Sequence, residues 1–587
     1  MKHLRFKPHY EPKELSRRLR GELAHARAEA RRDCLPRILS GTVEEALENL
    51  IFYSDPMVLP TAAAELMHRL QPAFGAAVLE GQCHLLRFTA ESAICMNSLL
   101  PSWNLSDPIL HPTSALAPGE VERIGREFLA LASTLARQFP VAADILLAAW
   151  RSETAARFSA EGAEDAEAEA RTFVGGSVPE YVEAVADSIA ASNLRRIAGL
   201  RVAGATRTEL SNDYAAFLPY ALLLGASFVT CNPPLVDLAW KAEPAKWDSL
   251  IDGLIAAQPD ADVDSLARVV TLEIVLANMR RLRPVFLLTE GRMGCVSLQV
   301  NPKRHDDAET MLRDAAAIYA ELERRLDGGV PNVVFKLPAT RAGLTACRAL
   351  TGAGIGVTIT VNFGLFQHLP FASAISEGAA LFSTLAHMSG RLAFPVRDEL
   401  LGKLSELSIL GISEAQARTA AAWSGVAVLK RLHRCLAQRG IDLSRVKPLI
   451  ASLRVYTETA YAGLPSPIPD ITEIVGTGII TVFPNVRRAF DRLPVIPLDG
   501  TRIDAPLPDG VLDVLRHSEV FKQAYWLGPL ATAGESDAPE LRPAQPLTLE
   551  DRQATASWTP VANTLNEFCR AYDSFVDRIQ ARRPRAG

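Results

Sequence analysis

Residues 333–363 read VVFKLPATRAGLTACRALTGAGIGVTITVNF. A run of strand length, rich in Val and Phe and broken only by Lys336, gives way to a helical stretch and then to GVTITVNF, a second β-branched run. Strand, helix, strand within about 30 residues is the repeating unit of a parallel sheet. The same alternation extends in both directions. SFVTCNP and CVSLQVNP precede this stretch, and AALFSTLAH, LIASLRV and GIITVFPN follow it, with helical segments such as DAETMLRDAAAIYAELERRL and AVLKRLHRCLAQRG between them. These seven strands and a weaker one near RTELSND make eight, the number that closes a (β/α)8 TIM barrel.

Strands of a parallel barrel are covered by helices outside and filled by side chains inside, so both faces should be apolar. Several strands here break that rule with period two. Ser297, Gln299 and Asn301 share one face of CVSLQVN; Thr358, Thr360 and Asn362 share one of GVTITVNF. Thr230 and Asn232 do so in VTCN, Ser452 and Arg454 in SLRV, Val334 and Lys336 in VVFKLP. Alternation puts each set on one side of its strand. If the other side meets the helices, the polar side faces the barrel axis, where it must bond other protein groups, water or a ligand. A satisfied polar network without function is one reading, a site the other, and five strands together favour a site. Lys336 is the sharpest feature. A dry environment lowers a lysine's pKa and frees the amine to attack a carbonyl carbon. The alternative is a lysine that snorkels from a strand end into solvent.

The flanks differ in texture. Residues 1–200 read as a helical domain of unknown role, with a capping box of Thr42 and Glu45 opening TVEEALENLIF and helical periodicity in residues 119–139 and 179–200. SAEGAEDAEAEAR (159–171) is acidic and lacks an apolar face, which predicts a solvated helix or mobile connector. Residues 201–500 form the barrel. Residues 501–587 begin as a Pro-rich arm and end in a helix over VANTLNEFCRAYDSFVDRIQARR.

Composition excludes several classes. At 587 residues, 48% hydrophobic and 22% charged, the chain is globular and long enough for more than one domain. A net charge of −5 with signs interspersed provides no footprint for nucleic acid or an anionic membrane. The eight cysteines are scattered without a C-x-x-C pair, which argues against a zinc ribbon or redox pair and fits a reducing compartment. The charged N-terminus has no apolar run typical of a secretory signal, and no stretch is apolar enough to span a bilayer. A cytoplasmic protein without metal or cofactor is expected; a homo-oligomer is left open.

With these residues in place, the chain resembles the transaldolase family from about Asp213 to Ala489, roughly half its length. FVTCNPPLV resembles the family's T-x-N-P-x-L-I motif and GRMGCVSLQVNPKRHDDAE its acidic-strand motif. Residues 333–363 resemble its lysine strand, helix and next strand, and SGVAVLKRLHRCLAQRGI its P-G-V-x-S-V helix. The resemblance implies class I aldol chemistry without a metal. Lys336 forms an imine with a ketose phosphate; Asp213 is the general acid/base; Asn232 holds the dihydroxyacetone unit; Thr360 positions a water. Arg454 with Ser452 and Arg391 binds phosphate, a task suited to guanidinium donors. From its local sequence SNDYAAF, Asp213 also reads as a helix N-cap.

Two departures from the family pattern stand out. Gln299 replaces the usual glutamate, as in fructose-6-phosphate aldolases, and an amide can hold a water but cannot take its proton. In LFSTLAHMSGRL only Gly390-Arg391 remains of S-P-F-x-G-R, with His387 or Met388 in the place of the family's aromatic. The expectation is transfer of a dihydroxyacetone unit between phosphosugars, as in pentose phosphate metabolism. The alternatives are an aldolase releasing dihydroxyacetone, favoured by Gln299, and a catalytically idle sugar-phosphate-binding or scaffold protein.

Overall fold

The structure, a computed structural model, describes residues 11–98 and 114–583. Part of the charged N-terminal stretch lies outside them. Eight parallel strands close into a barrel in sequence order: β1 Glu209–Asn212, β2 Ala226–Thr230, β3 Cys295–Gln299, β4 Val333–Pro338, β5 Val357–Asn362, β6 Ser383–Met388, β7 Val446–Ala451 and β8 Ile479–Val482. β8 returns to β1, pairing Ser211 with Thr481. The fold is the (β/α)8 barrel read from the sequence. The register places Gln299 opposite Lys336, Lys336 opposite Thr358, and Thr358 opposite Thr384.

Alternation assigns every second residue to the lumen. Its lower layers are closed by Phe228, Val334, Phe382, Leu449 and Ile479, which form one buried cluster. Leu15 and Leu19 of the first helix, Pro12–Ala30, complete that cluster, so this helix seals the end of the barrel where the strands begin. Beside them Lys447 of β7 is buried and bonds Glu209 of β1 at 2.6 Å.

Several local expectations are corrected. β7 begins three residues before LIASLRV, so Ser452 and Arg454 lie in the loop beyond it. Thr42 and Glu45 form no capping box: the Thr42 hydroxyl donates to the Arg37 carbonyl at 2.8 Å, and Glu45 pairs with Arg37 at 3.1 Å. The acidic stretch 159–171 is not a solvated connector. Glu161 is buried and bonds Arg487 at 2.6 Å, and Glu169 pairs with Arg488, which fastens this stretch to the helix Pro484–Asp491 after β8.

After residue 500 the chain wraps the outside of the barrel. The long helix Glu414–Gln438 anchors it there. Lys430 donates to the carbonyls of Arg502, Ile503 and Ala505, Arg431 pairs with Asp537 at 2.8 Å, and Arg439 with Glu535 at 2.6 Å. The chain then forms a 23-residue helix, Thr559–Ala581. It packs on elements that follow β2, β3 and β6 and on β5 itself, and therefore crosses the mouth of the barrel. The eight cysteines are all free thiols. Among the described residues no helix is long and apolar enough to cross a membrane, and no three His, Cys, Asp or Glu side chains converge as metal ligands.

Candidate active site

The mouth of the barrel is built where strand alternation ends. Lys336, at the centre of β4, is 5% exposed, and its Nζ donates to the Cys231 carbonyl at 3.4 Å. Burial holds its pKa below the usual lysine value; Asp213 opposes that effect and Arg391 adds to it. Asp213 follows β1. Burial raises its carboxyl, against the pull of Lys336 and of a hydrogen bond that Thr230 donates at 2.6 Å. Dry surroundings thus push both groups of this pair toward their neutral forms. The rival reading of Asp213 as a helix cap fails, because the next helix begins at Leu218 with Phe217 at its N-cap.

Thr230 and Thr481 lie 2.7 Å apart, and Thr481 donates to Ser211 at 3.0 Å, so a chain of hydroxyls runs beneath Asp213. Thr358, opposite Lys336, accepts from Thr384 at 2.9 Å. Thr360 stands one step higher, 3.7 Å from the Met388 sulfur. Met388, rather than His387, therefore faces the lumen at the family's aromatic position. His387 packs 3.2 Å from His368, and burial drives its pKa down to about 3. Asn232 caps the helix Pro233–Ala242 through Leu235 N at 3.0 Å. The Oε1 of Gln299 is buried without a hydrogen-bond partner, and the residue borders a cavity of about 250 Å³, also lined by Asn232, Asn301 and Tyr572.

Asn362 does not join this group. Val361 takes φ +54°, which interrupts the alternation of β5. Asn362 then bonds His368 Nδ1, on the following helix, at 2.9 Å. Left-handed backbone in a β-branched residue is strained, and such strain gathers at functional sites. Ser452 shows it too, with φ +59° in the loop after β7.

That loop carries the cationic side of the mouth. Gly390 lies so close to it that a Cβ there would stand 2.4 Å from the Ser452 carbonyl and 2.5 Å from Arg454 Cγ. The Arg454 backbone N–H donates to Asp470 at 3.1 Å, and its guanidinium lies 5.1 Å over the Phe394 ring. Asp470 is fully buried and accepts from Ser389 at 2.5 Å; burial raises its pKa to about 6. Arg391 makes a two-pronged ion pair with Glu567 of the final helix. Arg391 follows Gly390 in the helix after β6, and Gly390 lies against Arg454, so both arginines stand at the same mouth, where both lower the Asp213 pKa. Sequence reasoning did not find Ser211, Thr384, Thr481, Asp470 or Glu567. The first three offered the same period-two alternation as the stripes it used; the last two carry no local signal.

An eight-stranded parallel barrel with a dry lysine–aspartate pair and two arginines at its mouth defines the class. Residues 223–505 match the family described as Transaldolase/Fructose-6-phosphate aldolase. Transaldolase of Mycolicibacterium smegmatis is 29% identical over 346 residues, 53% of this chain and 88% of that protein. Transaldolase 1 of Streptomyces avermitilis is 33% identical over 168 residues, 29% of this chain and 41% of that protein, so that match spans less than half the relative's length. Through its barrel this chain belongs to the transaldolase/fructose-6-phosphate aldolase family, whose enzymes are of the aldolase and transferase kind.

Proposed function

We propose that the chain transfers a dihydroxyacetone unit between phosphosugars through an imine on Lys336. The observation that carries this reading is the burial of the Lys336 amine within electrostatic range of Asp213. The neutral amine adds to the ketose C2 carbonyl, and with one proton drawn from solvent the C2 hydroxyl leaves as water, giving a protonated imine. Asp213 takes the proton of the C4 hydroxyl, the C3–C4 bond breaks into the imine, and the shortened aldehyde leaves. The enamine then attacks the carbonyl carbon of an acceptor aldose, Asp213 returns the proton, and water releases the product. Thr360 positions that water, Thr230 orients Asp213 from below, Thr358 lines the lysine layer and Asn232 holds the three-carbon unit. Arg454, Ser452 and Arg391 receive the phosphate.

A second reading has its own observation. The Gln299 side chain lines the cavity at the mouth, and an amide there can hold a water but not deprotonate it. That favours release of dihydroxyacetone without an acceptor, as in an aldolase. Borohydride trapping with ketose phosphates tests the shared chemistry: a substrate mass increment on the Lys336 peptide supports it, and none across a panel of such sugars overturns it. Turnover with and without an acceptor aldose then separates transfer from release.

A further inference from the structure

The final helix, Thr559–Ala581, is pinned at both ends across the mouth. Trp558, at its start, packs against Phe363 and Phe366 with ring centroids 6.0 and 5.5 Å away. Toward its far end Arg578 bonds Asp237 at 3.0 Å and lies 3.8 Å over the Trp240 ring, and Arg582 bonds Asp252 at 2.7 Å. Between these anchors Glu567 offers both carboxylate oxygens to both terminal nitrogens of Arg391. Arg454 also acts on this carboxylate.

A carboxylate fork on a guanidinium has the geometry of a phosphate on the same group. The pair is not sealed: the Glu567 side chain is 49% exposed, against 20% for Arg391. Nor is it complete, because Arg391 Nε is buried with no hydrogen-bond partner. A phosphate that displaces the carboxylate meets the same two terminal nitrogens with its own pair of oxygens.

We infer that Glu567 is a tethered stand-in for the substrate phosphate, holding the Arg391 side of the anion subsite until a phosphate ester displaces it. This rests on the proposed reading of Arg391 and Arg454 as phosphate ligands. The carboxylate competes with phosphate and not with the carbonyl chemistry, so it selects against weakly charged anions and sets how much phosphate is needed to open the site.

The test is calorimetric titration of the full-length protein with inorganic phosphate. An exposed ion pair is worth up to about 1 kcal/mol, so Glu567→Gln should bind phosphate about fivefold more tightly than wild type. Asp573→Asn is the control. Asp573 sits on the same helix and pairs with Lys303 at 2.7 Å, away from Arg391, so this change loosens the helix without freeing the fork. Its phosphate affinity should equal that of wild type. Equal affinity in Glu567→Gln and wild type would overturn the inference, as would an equal gain in both variants, which would trace the effect to helix loosening. Imine trapping with unphosphorylated dihydroxyacetone is run alongside. Its loss in wild type would count against the lysine chemistry, while the phosphate titration still judges the subsite.

Discussion

Thr230 donates its hydroxyl to Asp213 at 2.6 Å while itself lying 2.7 Å from Thr481, so the carboxylate rests on a hydroxyl chain rooted in β2, β8 and β1. A donor fixed from beneath engages one carboxylate oxygen and holds the carboxylate in place, as a group that shuttles a proton requires. Asp213→Asn should therefore keep imine formation but lose turnover by about 10²–10⁴-fold, the usual scale for a general acid/base. Trapping yield measured beside steady-state rate checks this; equal loss in both would assign Asp213 to imine formation instead.

The trapping reaction should also report how Lys336 titrates. Its pKa lies below the ordinary lysine value, chiefly through burial, with Asp213 raising it and Arg391 lowering it. The neutral amine is the nucleophile, so trapping should rise with pH and level off below pH 10.5. Asp213→Asn removes the raising charge and should move the midpoint down; Arg391→Gln should move it up. On stability the sign is also fixed: between the folded and unfolded pKa values the unfolded chain holds the extra proton, so this residue's contribution grows as pH climbs toward 10.5. Lys336→Met should flatten that slope in denaturant titrations.

Ser452 should show a conflict between stability and binding. At φ +59° a residue with a Cβ is strained by about 1 kcal/mol, which glycine relieves. Ser452→Gly should raise the thermal midpoint slightly while raising KM for phosphorylated substrates. A gain in stability with unchanged KM would remove Ser452 from the phosphate subsite.

Glu161 and Arg487 should matter for stability and little for chemistry. Their side chains are 6% and 5% exposed, and removing one partner of a buried pair costs roughly 3 kcal/mol, because the other charge is left dry. Glu161→Ala should lower the unfolding free energy measured in urea by that amount, with imine trapping intact. No shift would show that water reaches the pair.

The barrel was legible because its strands are β-branched runs separated by periodic helices, and the polar stripes were legible because the lumen accepts alternate residues. β7 was placed too late because the apolar run LIASLRV starts only after Lys447 and Pro448; Lys447 is in fact a lumen residue bonded to Glu209. Asn362 was assigned to the mouth by assuming unbroken alternation, and nothing in a valine announces the positive φ that Val361 adopts. Glu567 lies 176 residues from Arg391, and a glutamate on an exposed helix face carries no mark of the guanidinium it will meet. Such pairings are set by where the chain returns, which local pattern does not encode.

Leu15 and Leu19 plug the floor of the barrel. A tube stoppered at one end has a single doorway. Under a transfer mechanism the aldehyde product must leave by the route its replacement will use, so two sugars cannot queue on opposite sides of Lys336. Traffic through this enzyme would then be strictly alternating, and double-reciprocal plots at several acceptor concentrations should run parallel.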